Sequence, residues 1–216
     1  MSVTPGGFDT GTELGVIDDG TSILLTGDDE SALREVFYRL VAAGDDEESV
    51  VLATNDRGRV VTRELDGVAA GAGDRACVLA CEGRASGDRI AAVDDPGDLT
   101  TLGLELSALV ADARQQADRL RVGVFLCSSL CAAADDTRSV YRFLNSNFLS
   151  HLRRNEAVGI CAIDTSADIG ANVDSVVSGM ETSFGARIDI VESGPGGTTV
   201  AVSGLPSVDG EVELSL

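Results

Sequence analysis

The chain has 216 residues, 44% of them hydrophobic, with 36 acidic against 16 basic side chains and a formal net charge of −20. That apolar content is enough for a continuous core in one domain spanning 1–216, with 1–19 as a lead-in. The charge excludes nucleic-acid binding through the general surface, because phosphate neutralisation needs a basic stripe and none appears. All 16 basic residues are arginine, so chemistry that requires an ε-amine is excluded as well.

The acids are spread along the whole sequence. Such self-repulsion is screened at molar salt, where the Debye length falls to ~3 Å, and the absence of lysine beside abundant Asp and Glu matches proteins of salt-in halophiles. No apolar run approaches the ~20 residues needed to span a bilayer, and the N-terminal MSVTPGGFDTGTEL has neither the positive start nor the apolar stretch of a secretory signal. A cytoplasmic location is expected, and the five cysteines, an odd number, are expected as free thiols.

In chain order, apolar runs predict strands at Ser22–Thr26, Ser49–Thr54, Ala76–Cys81, Arg121–Cys127, Ala157–Asp164, Arg187–Glu192 and Thr198–Ser203. Helical spacing appears at Glu30–Ala43, Gly58–Asp66, Leu99–Ala117, Thr137–Arg154 and Ile169–Met180. Continuous apolar strands alternating with helices indicate a parallel sheet covered on both faces. The final two strands are joined by Ser193-Gly194-Pro195-Gly196-Gly197, which suits an antiparallel hairpin. Within Leu99–Ala117, Leu102, Leu106, Leu109 and Ala113 align behind an Asp98 N-cap. Within Thr137–Arg154, Val140, Phe143 or Leu144, Phe148 and Leu152 form one stripe, with acids before the helix and arginines at its end to complement the dipole.

Several phrases resemble the RecA/KaiC-like P-loop ATPases, and the uncharacterised KaiC-like proteins of halophilic archaea in particular: GTSILLTG at 20–27, VFLCSSL at 124–130, YRFLNSNFLSHLRR at 141–154, and FGARIDIVES followed by TTVAVSGLP across 184–206. The resemblance covers nearly the whole chain and implies a three-layer α/β/α domain, a mainly parallel sheet ending in an antiparallel hairpin. It also implies where the family's chemistry is missing. Laid on without a gap, the positions of the phosphate-loop glycine, lysine and hydroxyl hold Ala32, Leu33 and Arg34. The positions of the magnesium-holding aspartate and its neighbours hold Ser128, Ser129 and Leu130, and a neutral hydroxyl is a poor ligand for a hard cation. Where KaiC-type relatives carry acids after the second strand, this chain has Thr54, Asn55 and Asp56.

Phosphoryl transfer depends on positioning and charge neutralisation, and the turn after the first strand adds Asp28, Asp29 and Glu30 where a triphosphate would bring its own negative charge. The resemblance with these losses implies a non-catalytic, degenerate member with a regulatory, signalling or assembly role, acting through a protein partner or self-association. The alternative is an atypical ATP-binding protein or ATPase in which an arginine replaces the lysine. ATP and Mg²⁺, if bound at all, would meet a degenerate pocket of Thr26, Gly27, Ser31, Arg34 and Ser128.

Other residue groups carry weaker signals. In a parallel sheet the strand ends converge, so Cys81, Cys127 and Cys131 are candidates to approach one another, although free cysteine is most often a small buried hydrophobe. His151, the single histidine, reads as a helix residue near a C-terminal dipole. Arg138 and Arg142 lie one helical turn apart, either as an anion clamp or as partners of nearby carboxylates. Ser128-Ser129 lacks the glycine frame of a nucleophile elbow.

Overall fold

The computed structural model describes residues 7–194 and 196–215. Nine strands form the central sheet, and their order explains its layers. The chain enters through a small antiparallel pair, β1 (Gly7–Asp9) and β2 (Val16–Asp18). It then lays down β3 (Ser22–Gly27), α1 (Glu30–Val41), β4 (Glu47–Arg57), α2 (Gly58–Val68), β5 (Ala76–Glu82) and β6 (Ile90–Ala92). Next come α3 (Leu99–Gln116), β7 (Arg119–Phe125), α4 (Cys127–Ala133), α5 (Thr137–Phe143), a π-helical turn at Leu144–Phe148, and α6 (Leu149–Asn155). The chain continues through β8 (Val158–Asp164), α7 (Val173–Glu181), β9 (Ala186–Gly194), β10 (Gly197–Leu205) and β11 (Val208–Leu214).

The sheet order is β11-β10-β9-β3-β8-β7-β4-β5-β6. Strands β9 through β6 in that order pair in parallel, while β10 and β11 run antiparallel beside β9. From β3 the chain steps toward β6, then reverses and fills in β7, β8 and β9. Because crossovers in such sheets are right-handed, the reversal moves the covering helices to the other face. α1 and α2 therefore share one apolar cluster with Ile23, Leu25, Val51 and Val78. α3, α5, α6 and α7 share another with Leu24, Val50, Leu52 and Leu79. Adjacent strand residues enter opposite clusters because a pleated strand alternates its side chains.

The mainly parallel α/β architecture and its antiparallel end agree with the sequence expectation, although Pro195 of the expected turn lies outside the described residues, as does the start of the N-terminal segment. Several boundaries differ: β4 spans Glu47–Arg57 where Ser49–Thr54 was expected, and α7 starts at Val173, capped by Asn172, where Ile169 was expected. Two further differences have local causes. The strand expected to reach Cys127 stops at Phe125, because Leu126 takes left-handed backbone angles (φ 57°, ψ 61°) and Cys127 opens α4. The helix expected over Thr137–Arg154 is interrupted by the π turn, where Asn147 packs against Gly103 of α3; a Cβ on Gly103 would lie 2.5 Å from Asn147 Nδ2. The apolar stripe survives the extra residue, with Val140, Phe143, Leu144, Phe148 and Leu152 all buried.

At the N-terminal edge of the sheet, the hairpin β1–β2 is held by arginines from β7. Arg121, only 3% exposed, donates from Nε to Glu47 Oε2 at 2.5 Å, from Nη1 to the Leu40 carbonyl at 2.9 Å and from Nη2 to the Asp9 carbonyl at 2.6 Å. Arg119 pairs with Glu47 at 3.4 Å and stacks 4.4 Å over the Phe8 ring. The buried charge thus has several partners, as burial requires.

Candidate functional site

In open α/β sheets, ligands bind beyond the C-terminal ends of strands whose connections leave to opposite faces. β3 and β8 are such neighbours, with Gly27 opposite Asp164 in register. Strand and helix are joined here by Asp28 and Asp29 alone, since β3 ends at Gly27 and α1 begins at Glu30. Asp29 is the N-cap: its Oδ1 accepts the Ser31 amide at 2.9 Å and the Ala32 amide at 3.3 Å. Its Oδ2 accepts the Ser193 hydroxyl at 2.7 Å. The Ser193 hydroxyl, then the Ala32 and Ser31 amides, hold this carboxyl below its usual range. Amides at a helix start are what would bind a phosphate, and here the chain's own carboxylate takes them.

The strand end is similarly occupied. Thr26, buried, donates its hydroxyl to Asp189 Oδ1, which also accepts Arg187 Nε at 2.9 Å. Ile190 packs on Gly27, where an added Cβ would lie 3.0 Å from Ile190 Cβ, and the Gly27 carbonyl accepts the Thr165 amide at 2.8 Å. Ala32 and Leu33, the positions matched to the loop glycine and lysine, lie inside α1 and are buried, Leu33 completely. The residues at this turn therefore do not fit a triphosphate. A phosphate there would meet the Asp29 carboxylate, and a lysine at position 33 would point into the core.

Arg34 lies on the α1 face, away from Thr26. Its Nη1 donates to Asp56 Oδ2 at 2.5 Å and its Nη2 to Glu30 Oε1 at 3.1 Å, with the guanidinium 4.8 Å over the Phe125 ring. Burial opposes its charge, but Asp56 foremost, with Glu30 and Tyr38, more than compensates, so its pKa stands above the ordinary value. Asp56, the acid left where KaiC-type relatives carry theirs, is thus committed to an internal ion pair.

Ser128 does not end a strand; it sits in α4, buried, with its Oγ accepting the Asp164 amide at 3.3 Å. Thr54 Oγ1 reaches the carbonyls of Phe125 and Leu126 at 3.0 and 3.1 Å and holds the turn from β7 into α4. The structure thus brings Thr26, Gly27 and Ser128 to the β3–β8 end, leaves Ser31 exposed at the start of α1, and places Arg34 in a separate cluster with Asp56 and Glu30. Asp164 was not anticipated as part of this end. Its Oδ1 accepts the Ser166 amide and hydroxyl at 2.8 and 2.7 Å, and the Asp-Thr-Ser run after an apolar strand was the available signal.

The cysteines divide differently from expectation. The Cys127 thiol lies near those of Cys131 and Cys161, whereas Cys81 is near Asp95. All five are free and buried. Burial pushes the Cys81 thiol up to about 11, and Cys131 is raised by the neighbouring Cys127 thiol and then by burial, so neither is a ready thiolate. Among the described residues, no group of three or more His, Cys, Asp or Glu is arranged to hold a metal ion. His151 Nε2 is 2.9 Å from Ser107 Oγ, and its pKa is lowered by burial and then by Arg154. Among the described residues, no helix is long and apolar enough to cross a membrane.

Among solved structures, a KaiC-like protein of the hyperthermophilic archaeon Pyrococcus horikoshii OT3 is similar to this chain with a TM-score of 0.61 and 14% identity, over 98% of this chain and 94% of that one. At that identity the likeness establishes the fold, which is KaiC/RecA-like. No curated protein matches the chain. Residues 20–190 match the family of unknown function DUF7504, and the chain belongs to that family.

Proposed function

We propose that this protein is a non-catalytic, degenerate KaiC/RecA-like protein, a single domain that retains the scaffold for a regulatory, signalling or assembly role in the cytoplasm of a halophile. The observation that carries the reading is the Asp29 cap. The first amides of α1 are bonded to an internal carboxylate across a two-residue turn, Asp28-Asp29, between β3 and α1. Like charges ~4 Å apart repel by roughly 4 kcal/mol at an effective dielectric near 20, so a nucleotide's phosphate at this turn is disfavoured. The substitution of Arg34 for the missing lysine is disfavoured too, because that guanidinium is engaged by Asp56 and Glu30. What the scaffold offers a partner, or a second copy, is an acidic surface at net charge −20, which favours association at high salt.

The test is turnover. At molar KCl with millimolar Mg²⁺ and ATP, the full chain is expected to release no phosphate above the buffer rate. Phosphate release that disappears in Asp56→Asn would overturn the reading.

A further inference from the structure

Beyond the ends of β4 and β5, three arginines gather in a chain otherwise dominated by acids. Arg57 closes β4, Arg59 lies in the first turn of α2, and Arg84 follows Gly83 after β5; together they line a cleft of about 350 Å³ floored by Ile90. All three are exposed. Among the described residues none of them forms an ion pair, and Glu82, opposite Arg57 in register, is no exception. The cleft is built by close contacts. Arg59 Nη2 donates to Ser86 Oγ at 3.2 Å, tying its two rims together. Gly83, at φ +86°, gives room to the Arg57 stem, since a Cβ there would lie 3.2 Å from Arg57 Cγ. Gly58 rests on the floor, where a Cβ would lie 2.3 Å from Ile90 Cγ2.

The start of α2, like those of the short helices α4 and α6, differs from the starts of α1, α3, α5 and α7. Asp29, Asp98, Asp136 and Asn172 cap α1, α3, α5 and α7 with side-chain hydrogen bonds. α2 has Arg57 as its N-cap residue, no side-chain cap and no acid in its first turn. No side chain caps α2, and although Asp56 and Glu82 flank Arg57, the residues lining the concavity itself include three guanidiniums and no carboxylate. A planar guanidinium fork can bond two oxygens of a tetrahedral, multiply charged phosphate at once, which a point charge cannot, and a concave site of this size suits a small molecule.

We infer that this cleft binds the phosphate group of a phosphorylated small molecule, held by Arg57, Arg59 and Arg84. This site is separate from the closed turn at α1, and binding here requires no turnover. The experiment is titration calorimetry of the full chain with pyrophosphate and with ADP, both without magnesium, on the native sequence and on Arg57→Gln, Arg84→Gln and, as a control elsewhere on the surface, Arg153→Gln. Thermal unfolding of each variant checks that it is folded. Binding of either probe that weakens about tenfold in R57Q and in R84Q, the worth of one hydrogen bond to a charged group, and is unchanged in R153Q is the expected result. Response to both probes identifies the phosphates as sufficient; response to ADP alone assigns part of the affinity to the nucleoside. Absence of binding by both probes, or affinity indifferent to R57Q and R84Q, overturns the inference. Phosphate release from ATP that persists in R84Q would count against the non-catalytic reading and leave this one standing.

Discussion

The two ends of the sheet are built from the same parts and differ in burial. At the N-terminal edge, Arg121 and Arg119 meet Glu47 and lie over Phe8; at the C-terminal edge, Arg34 meets Asp56 and Glu30 and lies over Phe125. The Arg121 side chain is 3% exposed and that of Arg34 is 24% exposed. A buried arginine needs every partner it has, because removing one side strands a charge in a poor solvent, whereas an accessible arginine trades protein partners for water at little cost. Identical chemistry is therefore a clamp at one edge and a modest surface network at the other.

One substitution made at both edges tests this difference. Arg121→Ala takes from the buried Glu47 carboxylate its closer guanidinium, leaving Arg119, and takes the donor from the Leu40 and Asp9 carbonyls; it is expected to lower the unfolding free energy by about 3–5 kcal/mol, measured by denaturant titration at fixed KCl. A loss under about 1 kcal/mol would put Arg121 in the same class as an exposed pair and end the contrast. Arg34→Ala is expected to cost about 1 kcal/mol or less, since its pairs are partly solvated; a cost equal to that of Arg121→Ala would show that exposure is the wrong variable.

The smallest effect lies between the edges, at His151. Its folded pKa is lowered by burial, so the folded state favours the neutral ring. The corresponding stability is complete above the unfolded value near 6.5, declines as pH falls below it, and levels off below the folded pKa. Comparing denaturant midpoints at pH 8 and pH 5 for the native chain and for His151→Gln isolates this contribution. A native-minus-variant difference that stays flat, or that grows on acidification, would contradict the sign.

What the sequence disclosed and what it withheld follow from distance along the chain. Runs such as Ser22–Thr26 and the stripe Leu102, Leu106, Leu109 are local, and a strand or helix face follows from them directly. The state of the expected site is not local. Asp189 satisfies Thr26 from 163 residues away, and Ser193 reaches Asp29 across 164, so neither partner is visible in the β3–α1 segment itself. Ser128 was placed by counting along an apolar run that does not reveal the left-handed turn at Leu126. The short strands β1, β2 and β6 are too brief for periodicity to register. Arg57, Arg59 and Arg84 belong to two separated segments, and their common cleft exists only once β4 and β5 pair.

The anchoring of the first hairpin sets an order of events. Gly7 and Asp9 offer their carbonyls to Arg119 and Arg121, each 112 residues downstream. At about 5–20 residues per second of synthesis, those arginines emerge roughly 6–22 s after the segment they hold. The β1–β2 hairpin must therefore wait, undocked, with Phe8 and Ile17 uncovered, while the strands that will shelter it are still being made.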